Sequence, residues 1–365
     1  MNRPKKVVIV GVKFGELYLN AFIEAHPELV LAGIISKGSP RSKSLAEAFG
    51  VPLYNEVEQL PQDIDIACVV IRASVIGGAG NLLVEALLKR NIHVIQEHPV
   101  SAIELKRHHA LATAHGVHYR VNSFYATSTA GRTLIESCQS LRSQTRKTAI
   151  YGNLTTSRQL LYSTLDILLQ SLGEESKPTP IQLGHQKQFD IINLTTPNGD
   201  YLLQLQNYLD PNDPDMHSLA MHRVMLGWES GYLSLSDSYG PVIWTPTLHA
   251  DDHQNEELSL YQSVTDHPGH YLNASTTQVL HNQPSRLKDH FENDGPQAVM
   301  FVLEQFSLLV DGRQTNLGLS IQHQINVAEL WDEILALCGK PHEQALPVAT
   351  RVSLPSHTLS GVQNG

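Results

Sequence analysis

The chain is expected to be α/β, with an N-terminal doubly wound parallel sheet followed by an α+β domain built on a large, mainly antiparallel sheet. Three observations predict this. The first ~120 residues alternate short apolar runs with segments of helical spacing, as a parallel sheet with crossover helices requires. After Asn122 that rhythm stops and two helical segments lead into short alternating ones, the pattern of antiparallel strands. A length of 365 residues exceeds what one core usually organises. The expected division is 1–122, 123–340 and an extended tail, 341–365, rich in Ser, Pro and Gly.

Lys6 to Val10 is a continuous apolar run ending in Gly11, as a strand buried on both faces should be. Gly15 to Ala25 has helical spacing, with Leu17, Leu19 and Phe22 on its apolar side. Leu29 to Ile35 is a second strand, followed by a loop and a helix through Leu45 and Phe49. Asp65 to Ile71 reads as a strand, Gly78 to Arg90 as a helix, and Val94–Ile95 as a short strand. Ser101 and Glu104 fit the S-x-x-E capping box, so a helix starts there; Val117 to Val121 closes the series. This is the order of a Rossmann domain. Beyond it, Gly131 to Leu141 and Arg158 to Leu172 read as helices, the latter stopped by Gly173. Tyr201 to Leu209 and Gly231 to Ser236 read as strands, with a helix expected near His217 to Met225. Thr247 to Gln262 reads as a polar loop, and Gln297 to Asp311 and Val327 to Cys338 as helices.

Composition narrows the function. Lys and Arg number 26 against 36 Asp and Glu, a net charge of −10, which disfavours a general nucleic-acid binder. The apolar runs are strand-sized, too short to span a membrane, and no cleavable signal follows the basic start. Cys68, Cys138 and Cys338 are far apart and form no framework, so a reduced, cytoplasmic enzyme is expected. The histidines of the second half (His217, His222, His249, His253, His267, His270, His281, His290) form no H-E-x-x-H pair, so no metal is expected.

Three places could carry chemistry. The turn Gly11-Val12-Lys13-Phe14-Gly15 follows the first strand where a dinucleotide pyrophosphate would approach, although Lys13 and Glu16 occupy the second and third glycine positions of the usual spacing. The second strand ends in Ser36-Lys37-Gly38-Ser39-Pro40-Arg41, with no acid to receive ribose hydroxyls. Its two cations suit a 2′-phosphate and favour NADP(H). Arg72 and Ser74, after the next strand, are expected on the cofactor side. The third place is Gln96-Glu97-His98-Pro99, with Tyr125 shortly after the last parallel strand.

The order of strands, the Gln96–Pro99 motif and the change to a sheet domain resemble the Gfo/Idh/MocA oxidoreductases. That family carries Glu-Lys-Pro where this chain has Glu97-His98-Pro99, and an Asp/His pair on a helix where it has Gln159 and Ser163; only Asp166 matches there. Without that pair a polyol dehydrogenase would lack its proton acceptor. These departures, with VVIVGVKFGELYLNAF, VIQEHP, VNSFY and TTSRQLLYSTLD, resemble one branch, the thiazolinyl imine reductases of siderophore biosynthesis. The resemblance implies NADPH-dependent reduction of a thiazoline C=N held as a thioester on a nonribosomal peptide synthetase carrier domain. It makes His98 and Tyr125 the candidate proton donors, and Gln96 and Glu97 part of the cofactor pocket. It also implies a homodimer formed through the C-terminal sheet. The rival expectations are a sugar or polyol dehydrogenase and a noncatalytic NADP(H)-binding regulator.

Overall fold

The computed structural model describes residues 3–73, 78–173, 177–213, 218–247, 275–282, 286–315, 320–346, 350 and 352. Six strands, β1 (Lys5–Val10), β2 (Leu29–Ile35), β3 (Leu53–Tyr54), β4 (Ile66–Val69), β5 (His93–Glu97) and β6 (Tyr119–Asn122), form one sheet in the order β3-β2-β1-β4-β5-β6. Every pairing in it is parallel, as the expected Rossmann domain requires. Alternate residues of β1 explain the two layers. Val8 and Val10 face a core shared with α3 (Gly80–Lys89) and α4 (Ala102–Ala114), while Val7 and Ile9 face α1 (Gly15–Asn20). The order reverses beside β1, between β2 and β4, which places a ligand crevice at the carboxyl ends of these strands. α2 (Pro40–Ala48) is capped by Ser39, whose side chain accepts from the Ser42 amide. Ser101 caps α4 in the same way, accepting from the Glu104 amide, as its sequence signature predicts.

The second sheet has eight strands: β7 (Tyr151–Thr156), β8 (Thr179–His185), β9 (Phe189–Thr196), β10 (Gly199–Gln206), β12 (His222–Trp228), β13 (Gly231–Leu235), β14 (Val242–Pro246) and β15 (Gln278–His281). Their order is β15-β14-β13-β12-β7-β10-β9-β8, antiparallel except for β7 with β10. A small pair, β11 (Tyr208–Leu209) with β16 (His342–Glu343), lies apart. The inward residues Leu154, Tyr201, Leu203, Val224 and Leu226 pack in the core with α5 (Thr129–Thr145), α6 (Leu161–Leu172) and α9 (Ile321–Cys338). The opposite face keeps Tyr151, Ile181 and Tyr232 exposed.

Over the described residues 218–225, the helix expected near His217 to Met225 is not formed. Residues 222–228 are β12, because His222, Val224, Leu226 and Trp228 are buried on one side while Arg223 and Met225 turn outward. α1 is also shorter than expected and ends at Asn20, where the chain leaves in tight turns through Phe22 and Ile23. The late helix α8 (Gly295–Val310), preceded by α7 (Leu287–Asp289), crosses back to the first sheet. Its Val299, Val302, Leu303 and Phe306 share a core with Val7, Ile9 and Leu19. All but Thr247 of the polar loop expected at 247–262, and most of the tail, lie outside the described residues.

Candidate active site

The site grows from the carboxyl ends of β5 and β6, which pair Glu97 with Asn122. Glu97 is held by the Tyr18 hydroxyl, which donates to its Oε2. Asn122 Nδ2 in turn donates to that hydroxyl, at 2.7 Å. Burial and the facing carboxylate push the Tyr18 hydroxyl well above its usual range, so it stays a donor. His98 lies with Nδ1 2.8 Å from Glu97 Oε1 and 3.2 Å from the Asn122 carbonyl. Both neighbours are acceptors, which assigns the ring proton to Nδ1. Nε2 can therefore donate only in the imidazolium form. Tyr162 of α6 stacks on the His98 ring with centroids 5.7 Å apart and fixes its plane.

Tyr125 is presented by a tight turn. Its amide donates to the Ser123 carbonyl at 2.7 Å, and Phe124 between them has φ 58° and ψ −62°, a positive-φ γ-turn. Such a conformation persists only where its surroundings over-determine it. Asn122 Oδ1 accepts the Phe124 amide at 3.2 Å, and the Ser123 hydroxyl donates to Asp166. Gly131 completes the support, because a Cβ there would sit 2.1 Å from the Tyr125 carbonyl. Asp166 is buried and 2.7 Å from His323 Nε2. Burial raises its carboxyl, but His323, Ser123 and Gln170 outweigh that and hold it below the usual range. Burial, with Tyr239 and the charges of Glu97 and Asp237 behind it, pushes the Tyr125 hydroxyl well above its usual range. At neutral pH it keeps its proton.

His222 was absent from the expected site. It enters from β12, fully buried, with its ring centroid 4.4 Å from that of Tyr125. Its Nε2 lies 2.7 Å from Ser163 Oγ and its Nδ1 2.8 Å from Ser238 Oγ. An imidazole thus meets the helix position where only a serine stands in sequence. Burial, aided by His98, lowers its pKa to about 3, so it is neutral in the working range. The only sequence signal for it is the alternation of β12, which puts His222 on the buried face.

On the cofactor side, Gly11 has φ +95° and a Cβ there would lie 2.7 Å from the Val70 carbonyl, so the turn after β1 requires glycine. Lys13 and Phe14 are exposed beside it, and Gly15 opens α1. Ser36 is partly buried at the end of β2, and Lys37 is exposed. Arg41 stands in the first turn of α2 and forms an ion pair with Glu16 of α1. Arg72 is exposed after β4, and Ser74 lies outside the described residues. The Gln96 side chain lies in the core of the first domain. It is fully buried, donating to Asn81 at 2.8 Å and accepting from the Tyr119 hydroxyl at 2.6 Å, so it ties β5 to its neighbours in the core. Among the described residues no group of three or more His, Cys, Asp or Glu could hold a metal ion.

Residues 5–123 match the model of the Gfo/Idh/MocA oxidoreductase family, NAD-binding Rossmann fold. Residues 147–245 match a model described as thiazolinyl imine reductase Irp3-like, C-terminal. The first match marks residues 5–123 as the NAD-binding Rossmann segment of an oxidoreductase. The full architecture recurs in solved structures. An oxidoreductase from Agrobacterium radiobacter, in complex with NAD+, L-tartaric acid and magnesium, is similar at TM-score 0.63 and 14% identity over 90% of this chain and 94% of that one. KijD10, a 3-ketoreductase from Actinomadura kijaniata in complex with NADP and TDP-benzene, is similar at TM-score 0.63 and 14% identity, over 93% and 99%. No curated protein matches the sequence.

The two matched segments meet at the site, where Tyr162 of the second stacks on His98 of the first. The glycine turn after β1 fits the NAD-binding Rossmann description of the model that residues 5–123 match. No described helix is long and apolar enough to cross a membrane.

Proposed function

We propose that this oxidoreductase reduces a thiazoline C=N to a thiazolidine with NADPH, on an intermediate carried as a thioester by a peptide synthetase carrier domain. The observation that carries this reading is the contact of the Irp3-like segment with Tyr125. His222, inside the Irp3-like segment, packs on Tyr125, so the proton-holding residue and the imine-reductase match belong to one site. When bound, NADPH supplies a hydride to the imine carbon. The chain must then deliver a proton to nitrogen, and Tyr125 is built to hold one there at neutral pH. His98 is the second candidate, able to donate from Nε2 once protonated. Lys37 and Arg41, with no carboxylate in the first turn of α2, support preference for the 2′-phosphate of NADPH.

A hydroxyl oxidation would need a base open to substrate. His222 cannot serve, being fully buried with both ring nitrogens within hydrogen-bond distance of serines. The deciding experiment is NADPH oxidation with a thiazoline thioester beside a panel of sugars and polyols. Turnover of the thiazoline alone is expected, and turnover only of the sugars would replace this reading with a dehydrogenase.

A further inference from the structure

One contact of the glycine turn has no part in the reading above. Phe14, in that turn, is 37% exposed, yet its ring meets Phe124 edge-on, at 5.6 Å between centroids and 82° between planes. Phe124 meets Tyr125 in the same manner, at 5.0 Å and 88°. Phe14 also lies 6.5 Å, centroid to centroid, from Tyr18, which donates to Glu97 and accepts from Asn122. One side chain of the turn thus neighbours the supports of both donor candidates, Tyr125 and His98. Phe124 is buried, but its backbone, at φ 58° and ψ −62°, is one that a phenylalanine rarely adopts. Asn122 Oδ1 accepts from its amide at 3.2 Å, and Thr127 Oγ1 donates to its carbonyl at 2.7 Å. Relaxation of this one residue would redirect Tyr125, which follows it in the chain.

We infer that Phe14 is a positioning residue that links the seating of the dinucleotide to the placement of Tyr125. This rests on the proposed role of Tyr125 as donor. A Rossmann domain receives its dinucleotide at the turn after the first strand, and Phe14 belongs to that turn. A cofactor resting there restricts the turn, and the turn then holds the Phe14 ring against Phe124. Phe124 keeps its positive φ, and Tyr125 stays where the reduced substrate needs a proton. Phe14 itself makes and breaks no bond. An edge-to-face aromatic pair shifts an equilibrium roughly two- to tenfold. The link is reciprocal, so what steadies Tyr125 also steadies the bound cofactor.

The test reads this link twice in the full chain. Amide hydrogen exchange over residues 119–128, with and without saturating NADPH, needs no substrate. NADPH should slow exchange at Phe124 and Tyr125 several-fold in the unmodified protein and in Phe14→Tyr, which keeps the ring. Phe14→Ala should lose that protection even when saturated with NADPH. Equal protection in Phe14→Ala, or none in the unmodified protein, overturns the inference. The second reading is single-turnover NADPH oxidation with a thiazoline thioester at saturating NADPH. Phe14→Ala should slow the step roughly two- to tenfold, and should add little once Tyr125→Phe is present. An equal slowing in both backgrounds would show that Phe14 does not act through Tyr125, and overturns the inference. Protection that Phe14→Ala loses, in a protein that reduces no thiazoline, would sink the proposed reaction and leave the link standing.

Discussion

The ring of His222, in β12 of the second sheet, lies 4.4 Å, centroid to centroid, from that of Tyr125, in the turn after the last strand of the first. His222 bridges Ser163 of α6 and Ser238 beside Tyr239, so one neutral imidazole fixes the back wall of the site. Replacing it with alanine would leave two hydroxyls short of a partner and open a cavity. His222→Ala should therefore cost roughly 2–4 kcal/mol of stability, measured by denaturant unfolding. Turnover should fall more than cofactor affinity does. Unchanged stability would mean that the wall does not depend on this ring.

Acid should weaken the fold through buried histidines. Burial lowers His108 and His109 to about 4 and His222 to about 3, against about 6.5 for an exposed ring. These groups bind protons in the unfolded chain before they do in the folded one. Their contribution is whole above pH ~6.5 and is lost as pH falls toward the folded values. By pH 5 each should cost about 1–2 kcal/mol, so the denaturant midpoint should drop steeply between pH 6.5 and 4.5. A flat profile over that window would contradict the assigned burial.

Cofactor choice should respond to both partners of the Arg41–Glu16 pair. Lys37→Ala with Arg41→Ala should weaken NADPH by roughly 1.5–3 kcal/mol per charged hydrogen bond lost and leave NADH nearly unchanged. Glu16→Gln removes the carboxylate that competes with a 2′-phosphate, and should tighten NADPH a few-fold without tightening NADH. Equal affinities for both cofactors in the unmodified protein, by calorimetry, would refute the assignment of this loop.

The first half of the fold was legible because its strands are buried on both faces and need unbroken apolar runs, as in Val7 to Val10. The second half was harder to read. In β12 the polar His222 occupies an inward position and Gly227 an outward one, which disguised a period of two as a helix. His222 escaped notice as a site residue for the same reason, since its partners lie 59 and 16 positions away. Glu97, His98 and Tyr125 could be singled out because they follow strand ends, which fixes their place in a parallel sheet. Gln96, one residue earlier in the strand, has its side chain in the core.

The exposed outer face of the eight-stranded sheet carries Tyr151, Ile181 and Tyr232, and pairing two such faces would cover them in a homodimer. Light scattering at micromolar concentration should give twice the chain mass, and Ile181→Glu with Tyr232→Glu should shift it toward the monomer. A monomer in the unmodified protein would count against this assembly.

The central claim is that Tyr125 gives its proton to an imine nitrogen, and single-turnover NADPH oxidation with a thiazoline thioester tests it most directly. Tyr125→Phe keeps the ring and removes only the proton, so substrate binding should hold while the rate of the reductive step falls. Loss of a general acid costs ~10²–10⁴-fold, and the lower end is expected because the nitrogen grows more basic as hydride arrives. His98→Ala should also slow the step, through donation or through its contact with Glu97. If both single variants and the double variant reduce the thiazoline at the unmodified rate while hydride transfer is limiting, neither residue is the donor and the account of this site is wrong.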